Sequence, residues 1–410
     1  NFGLFVTLVL VVIGLLTMAF SSQTVGRDGL PTGEYYSLTL FSIAGMILMA
    51  TASDLLLVFL ALEVLSISVY VLTAIRRSDE SSSEGGFKYF LLGSFSSAIF
   101  LYGIAFAFGI AGSTRLDRIG SVLAAEAMDL SPLAFVAMVM LLVGFAFKVS
   151  AVPFHMWTPD AYEGAPAIVS GFMSTGVKAA AFAALVRVFL SAFEPMQAHW
   201  APVVWAVAMV TMIVGTVIAV AQTNLKRMLA YSSIAHAGYI LVGVVAANDT
   251  GKAAVLFYLL AYGVTNLAAF AVVALMAGTD EPRDNVQDYA GLWQSHPAVA
   301  ALMTILLLSL GGIPLTAGFV GKWYIFNAAV EANYYGLAIV GVLTSVVSVF
   351  FYLRIVVMMY MAQPAGESAP PRVSALSMAT LAVSVLAVLY LGILPARVLA
   401  LAVDSVGSIF

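Results

Sequence analysis

Three lysines stand inside apolar runs of this chain: Lys148 in VGFAFKVSAVPFHMW, Lys178 in SGFMSTGVKAAAFAALVRVF and Lys322 in GGIPLTAGFVGKWYIF. Glu63 lies within DLLLVFLALEVLSISVYVL, and His236 within MLAYSSIAHAGYILVG. A lysine at the centre of a membrane helix costs about 2.5–3.5 kcal/mol on insertion scales. Three such costs in one chain point to use. The chemistry open to amines, a carboxylate and an imidazole shielded from water is proton transfer. A Glu–Lys pair acts as a switch, because protonating or moving one partner changes the proton affinity of the other. Lys148 is the expected partner of Glu63. Lys178, 30 residues further on, is expected to hand protons onward, and Lys322 to serve the exit or entry side. The hydroxyls of Tyr231, Ser232, Ser233 and Tyr239 around His236 could form a wet polar track.

Structural readings of the same residues stay open beside this one. Lys148, close to Pro153, can snorkel from a helix end, as Lys178 can from a longer span. Glu63 can be a protonated tie between two helices. Lys322 can be held by the carbonyls exposed at the Gly311–Pro314 break. His236 can be a satisfied core histidine. His155, Asp160 and Glu163 read as the solvated mouth of a broken helix, Asp54 as an interfacial structural residue, and Arg187 and Arg354 as snorkelling cations.

The elements that position these groups follow from composition. The 410 residues are 62% hydrophobic and only 9% charged, where soluble domains run near one quarter charged. Apolar runs of about 20 residues recur along the whole length, which is the signature of spanning helices. Twelve spans are expected, near 2–20, 36–53, 55–75, 88–111, 132–152, 165–192, 201–221, 228–246, 252–277, 297–331 (interrupted), 334–360 and 373–392. The linkers are short, so the chain reads as one all-α integral membrane domain. TRLDRIGSVLAAEAMDL and the tail 393–410 read as amphipathic surface segments. Cysteine is absent and the four histidines have no paired spacing. That leaves no thiolate chemistry and no evident metal site. No phosphate-binding glycine motif opens a helix, and nothing suggests nucleic acid.

Call the side reached after the first span side A. Its loops hold Arg27, Arg76, Arg77, Lys88, Lys226, Arg227, Arg283 and Arg372; the opposite side holds Arg115, Arg118, Lys252 and Arg397. This asymmetry predicts that side A is cytoplasmic. The chain begins at Asn1 and enters an apolar run at once, so further sequence is expected ahead of it. A weak internal repeat divides the chain into an N-terminal helix and linker (1–35), five spans over 36–192, five over 201–360 and a C-terminal helix and tail (373–410). The fourth span of each set is broken by proline beside a lysine: Pro153 with Lys148, Pro314 with Lys322. Five being odd, the two sets would cross the bilayer in opposite senses. Matching broken helices in inverted halves are the best sequence pointer to an ion path.

FKVSAVPFHMWTPDAYEGAP, STGVKAAAFAALVRVF, QTNLKRMLAYSSIAHAGY and GGIPLTAGFVGKWYIF closely resemble the antiporter-like membrane subunits of respiratory complex I, in the wording of the subunit N type rather than L or M. The resemblance runs from about Leu40 to Arg397. It implies a fold of about fourteen helices with two inverted five-helix repeats. It also implies that Glu63, Lys148 and Lys178 match the glutamate and two lysines of the first half-channel and its centre. Lys322 matches the lysine of the second half-channel, and His236 falls on the helix with a central connecting histidine or lysine. The implied function is proton translocation coupled to NADH:quinone oxidoreduction elsewhere in the complex. The chain itself would carry no cofactor; NADH, FMN, iron–sulfur clusters and quinone would belong to partner subunits. The expected partners are a neighbouring antiporter-like subunit, small helical subunits and the lipid bilayer. A bacterial plasma membrane is expected over an organelle membrane. The alternatives are a subunit of a multi-subunit cation/proton antiporter or membrane-bound hydrogenase, and a structural spacer whose polar residues only hold helices together.

Overall fold

The computed structural model describes residues 1–125, 131–278, 283–363 and 373–407. Within them the regular structure is helical, as a bilayer demands of a chain whose spans are unbroken apolar runs, since each helix satisfies its own backbone polar groups. In chain order the helices are α1 (Phe2–Arg27), α2 (Thr32–Thr51), α3 (Leu55–Thr73), α4 (Glu80–Ala111), α5 (Leu116–Ala125), α6 (Pro132–Lys148), α7 (Trp157–Gly164), α8 (Ala167–Phe172), α9 (Lys178–Arg187), α10 (Gln197–Ala221), α11 (Leu225–Ala246), α12 (Asp249–Met276), α13 (Leu292–Ser295), α14 (Pro297–Gly311), α15 (Ala317–Glu331), α16 (Tyr335–Met361), α17 (Ala375–Ile393) and α18 (Ala396–Val406). A π-helical turn, Met173–Val177, joins α8 to α9, so the helical path runs unbroken over Ala167–Ala192.

Among the described residues, nine helical segments are long and apolar enough to cross a membrane, where the sequence suggested twelve. The other three expected spans are α2, α6 and the α14–α15 pair. α6 and α14 are apolar but short, at 17 and 15 residues, because each stops at a break. α2 carries Thr32, Glu34 and Ser37 within its 20 residues and falls below the same apolarity. Both anticipated breaks are present. The first runs from Val149 to Met156 and contains Pro153; the second spans Gly312 to Thr316 and contains Pro314.

The α8–α9 segment, α11 and α12 form the centre. In their most apolar stretches 94% of residues are buried, against 33% to 56% in the outer spans. A helix apolar on all sides belongs inside a bundle, and these are the helices that carry Lys178 and His236. The described parts of the two amphipathic segments are helical, while 126–130 and 408–410 lie outside the described residues: α5 buries Leu116, Ile119 and Leu123 on one face, and α18 buries Leu399, Ala402 and Val406. Asp54 has the structural part expected of it. Its carboxylate caps α3, accepting from the amides of Leu56 and Leu57, and takes a 2.7 Å hydrogen bond from Thr114. Arg354 donates to the carbonyls of Val220 and Gln222 at the end of α10, where the helix dipole is negative. Arg372 of the charge tally lies outside the described residues.

Candidate proton-relay site

The first half of the site lies between α3, α4 and α6. Lys148 is the last residue of α6, so the reading of a lysine near a helix end is correct in register. Its exposure is only 2%, however, which excludes snorkelling to the surface. Its Nζ donates to Ser66 Oγ at 2.6 Å and lies 5.5 Å and 5.4 Å from the ring centres of Tyr70 and Tyr89. Glu63 is half-buried one turn before Ser66 on the same face of α3, as i,i+3 spacing requires. It accepts a 2.6 Å hydrogen bond from Ser97 of α4. The expected direct ion pair between Glu63 and Lys148 is absent among the described residues. Each group is instead held by its own serine. A cavity of about 10 Å³ is lined by Lys148, Tyr70 and Ser97, the serine that binds Glu63, and is about the room one water molecule needs.

Lys178 follows the Met173–Val177 π-turn directly. Such turns re-aim side chains and often accompany functional sites, and nothing in the composition of MSTGV announces one. Lys178 is 2% exposed, and its Nζ donates to both the carbonyl (2.7 Å) and the hydroxyl of Ser233 on α11. Between Lys148 and Lys178 lie Tyr89, Trp157 and Tyr162, with Tyr89 stacked on Trp157 at 4.0 Å. The buried hydroxyls of Tyr89, Thr158 and Tyr162 have no protein partner within hydrogen-bond distance. The polar neighbours of Tyr162 are Tyr262 and Ser233, the latter being the residue that holds Lys178. Buried hydroxyls of this kind are satisfied by ordered water.

His236 is 3% exposed, with both ring nitrogens engaged by phenols: Nδ1 with Tyr258 Oη at 2.7 Å and Nε2 with Tyr352 Oη at 3.3 Å. Tyr352 in turn meets the hydroxyl of Ser232. The sequence pointed to Ser232, Ser233 and Tyr239 but missed Tyr258 and Tyr352. They arrive from α12 and α16, and nothing local to His236 predicts them. Asn266 extends the polar interior, donating to Ser174 at 2.8 Å and Tyr262 at 2.9 Å.

Lys322, 4% exposed, sits after the second break and folds back onto it. Its Nζ donates to the carbonyls of Leu310 (2.9 Å) and Gly311 (3.2 Å) and to Ser345 Oγ (2.8 Å), and lies 4.9 Å from the Tyr239 ring centre. The expected tie to broken-helix carbonyls is therefore real. Those carbonyls form the negative end of α14. A second cavity of about 10 Å³ joins His236 and Tyr262 to Ser309 and Leu310. Among the described residues no hydrogen bond or ion pair joins one of these five residues directly to the next; hydroxyls, aromatic rings and two separate small cavities lie around them.

At the side A mouth, α7 is clamped. Asp160 accepts from Lys88 of α4 at 2.7 Å and from Arg227 of α11 at 2.8 Å, and Arg227 also binds Glu163 at 2.5 Å. The solvated loop foreseen here is an ion-pair cluster that ties both halves to the broken helix. Burial pushes the Asp160 carboxyl up, but the hydrogen bonds from Lys88 and Arg227 outweigh it and hold it below the usual carboxylate value. Among the described residues no group of three His, Asp or Glu is placed to hold a metal ion.

An all-helical bundle with two broken spans, a buried amine beside each and a third between them defines an antiporter-like membrane subunit. Residues 52–348 match the family described as NADH:quinone oxidoreductase/Mrp antiporter, transmembrane, and the chain belongs to it. It is 45% identical over its whole length to NADH-quinone oxidoreductase subunit N 1 of Solibacter usitatus, covering 84% of that protein. It superposes on a chain of respiratory complex I from Thermus thermophilus with a TM-score of 0.82 and 36% identity, covering 97% of this chain and 85% of that one. A chain of the Mrp complex from Dietzia sp. has a TM-score of 0.89 but 23% identity, which is a likeness of fold.

Proposed function

We propose that this chain is the N-type proton-translocating membrane subunit of a bacterial NADH:quinone oxidoreductase, in which Glu63, Lys148, Lys178, His236 and Lys322 relay protons. The chain works without redox chemistry of its own. The cofactors and the quinone are held by partner subunits, and changes there alter the charge or position of groups in this relay. The plasma membrane is the expected site, with side A facing the cytoplasm. The two broken-helix halves, 36–192 and 201–360, act as inverted half-channels joined at Lys178 and His236.

The observation that carries the reading is Lys178: an amine buried at mid-span in the central helices, held by Ser233 alone, with no carboxylate among its described partners. A spacer has no use for such a group, given the cost of placing it there. A relay does, since an amine can accept a proton from one neighbour and release it to the next. Water in the two small cavities and at the Tyr89, Thr158 and Tyr162 hydroxyls would complete the contacts.

The test is Lys178→Ala in the whole complex reconstituted in sealed vesicles, with lumenal pH and NADH oxidation followed together. Loss of one positioned proton-transfer group slows the steps it serves by roughly 10²-fold or more, so protons moved per NADH should fall sharply while the complex stays assembled. Unchanged pumping would make the residue structural. A sodium requirement for turnover would favour the cation/proton antiporter reading, for which the shared Mrp fold is the supporting observation.

A further inference from the structure

Two cavities meet on the side A end of α2, α3 and α4. The first, about 780 Å³, is an open apolar groove walled by Phe41, Val71, Phe87 and Phe90, with Tyr70 at its inner end. The second, about 610 Å³, is polar and lies against Asp28, Arg76, Asp79, Lys226 and Asp284. Pro31, Glu34, Ile75 and Arg77 line both. The joined space is therefore amphipathic, apolar along the membrane depth and polar where the helices reach the surface.

Most charges of the polar part are already matched. Asp28 binds Arg27 and Arg76, Asp284 binds Lys226, and Asp79 caps α4. Arg77 and Glu34 are different. Both are exposed, and neither side chain has an ion-pair or hydrogen-bond partner among the described residues. They present one free cation and one free carboxylate at the junction, above an apolar groove. This charge pattern complements a headgroup that carries a phosphate and a primary ammonium.

We propose that the groove binds an aminophospholipid of the phosphatidylethanolamine class, its phosphate on Arg77, its ammonium on Glu34 and an acyl chain along Phe41, Phe87 and Phe90 towards Tyr70. Basic pockets between spanning helices on the cytoplasmic side are known to hold lipid headgroups. The carboxylate adds a preference for a hydrogen-bonding amine over a quaternary one. The chain end reaches the ring that faces Lys148, so the lipid would wall the first half-channel on its membrane flank. The proposal rests on the membrane fold and these two side chains and is independent of which ion the relay carries.

The experiment uses the whole membrane complex, delipidated in detergent and re-exposed to vesicles of phosphatidylethanolamine, phosphatidylcholine or phosphatidylglycerol, with retained lipid counted by mass spectrometry. Phosphatidylethanolamine should be retained preferentially. Arg77→Ala should lower its retention about fivefold, from roughly 1 kcal/mol per surface cation. Glu34→Gln should erase the preference over phosphatidylcholine while leaving retention of phosphatidylglycerol unchanged. Equal retention of the three lipids, a preference for phosphatidylglycerol, or insensitivity to both variants would overturn the proposal. So would a photo-crosslinker at position 87 that captures a neighbouring subunit's helix in place of lipid.

Discussion

At the scale of single residues, the proposed relay consists of amines held by hydroxyls and carbonyls, with its one carboxylate, Glu63, held by a serine of its own and not by an amine. A lysine locked in a direct ion pair at mid-depth would be hard to separate from its partner. One held by Ser66 can exchange a proton through a neighbouring water at small rearrangement. The same logic governs His236, whose two ring nitrogens each meet a phenol, Tyr258 and Tyr352, that can either donate or accept, so the ring can pass a proton from one nitrogen's side to the other. Tyr352→Phe removes the hydroxyl shared by His236 and Ser232 at a cost of about 1 kcal/mol per hydrogen bond. The complex should assemble with this variant and pump more slowly, with a changed solvent isotope effect on translocation. An unchanged isotope effect would confine Tyr352 to packing. Much of this scale was legible in the sequence: charged residues in apolar runs are conspicuous, and all four cationic or imidazole positions prove buried. Their partners were not legible. Ser66, Ser97, Ser233 and Ser345 are ordinary residues of helices, and only the packing of distant spans puts them beside an amine.

At the scale of elements, the breaks do the positioning. The second one depends on close approach: a Cβ added to Gly318 would lie 1.8 Å from the carbonyl oxygen of Ser309, at the end of the preceding half-helix. Gly318→Ala must therefore push α15 away from α14, where Lys322 reaches back to Leu310 and Gly311. A loss of stability of about 1–3 kcal/mol from overpacking is expected, read as a lower melting temperature of the solubilised complex. Gly26→Ala, where nothing lies within 4 Å, should be neutral or gain up to about 1 kcal/mol. At the first break the clamp on α7 is electrostatic and pH-sensitive. The Asp160 carboxyl is held below its ordinary value near 3.8. Its contribution is therefore fully present above that value and is lost as pH falls through the lowered one. Melting temperature of the native complex should lose the Asp160 contribution only on acidification below about pH 4, and Asp160→Asn should flatten that part of the profile. The prolines and neighbouring lysines made both breaks legible from sequence. The π-turn before Lys178 was not, since nothing in MSTGV marks a change of helical hydrogen-bond pattern. Nor was the Lys88–Asp160–Arg227 clamp, whose members lie 72 and 67 positions apart.

At the scale of the whole molecule, three helical segments whose most apolar stretches are 94% buried carry the middle residues of the proposed relay, Lys178 and His236. The recurring apolar runs gave the bundle away. Among the described residues nine of the twelve expected spans form helices long and apolar enough to cross a membrane; the other three are the helices that stop at the two breaks and the more polar α2. What periodicity could not supply is which spans touch, and hence whether Lys148 and Lys322 belong to separate paths or to one. The cavity beside Lys148, the Tyr162–Ser233 approach, the Ser232–Tyr352–His236 contacts and the cavity at Leu310 argue for one. A double-mutant cycle on protons moved per NADH by the reconstituted complex decides the matter directly. Groups that act as a unit are strongly non-additive. Lys148→Ala and Lys322→Ala should each depress translocation, and the double variant should be no worse than the weaker single. Two losses that simply add would mean independent paths, and a continuous relay through Lys178 and His236 would be contradicted.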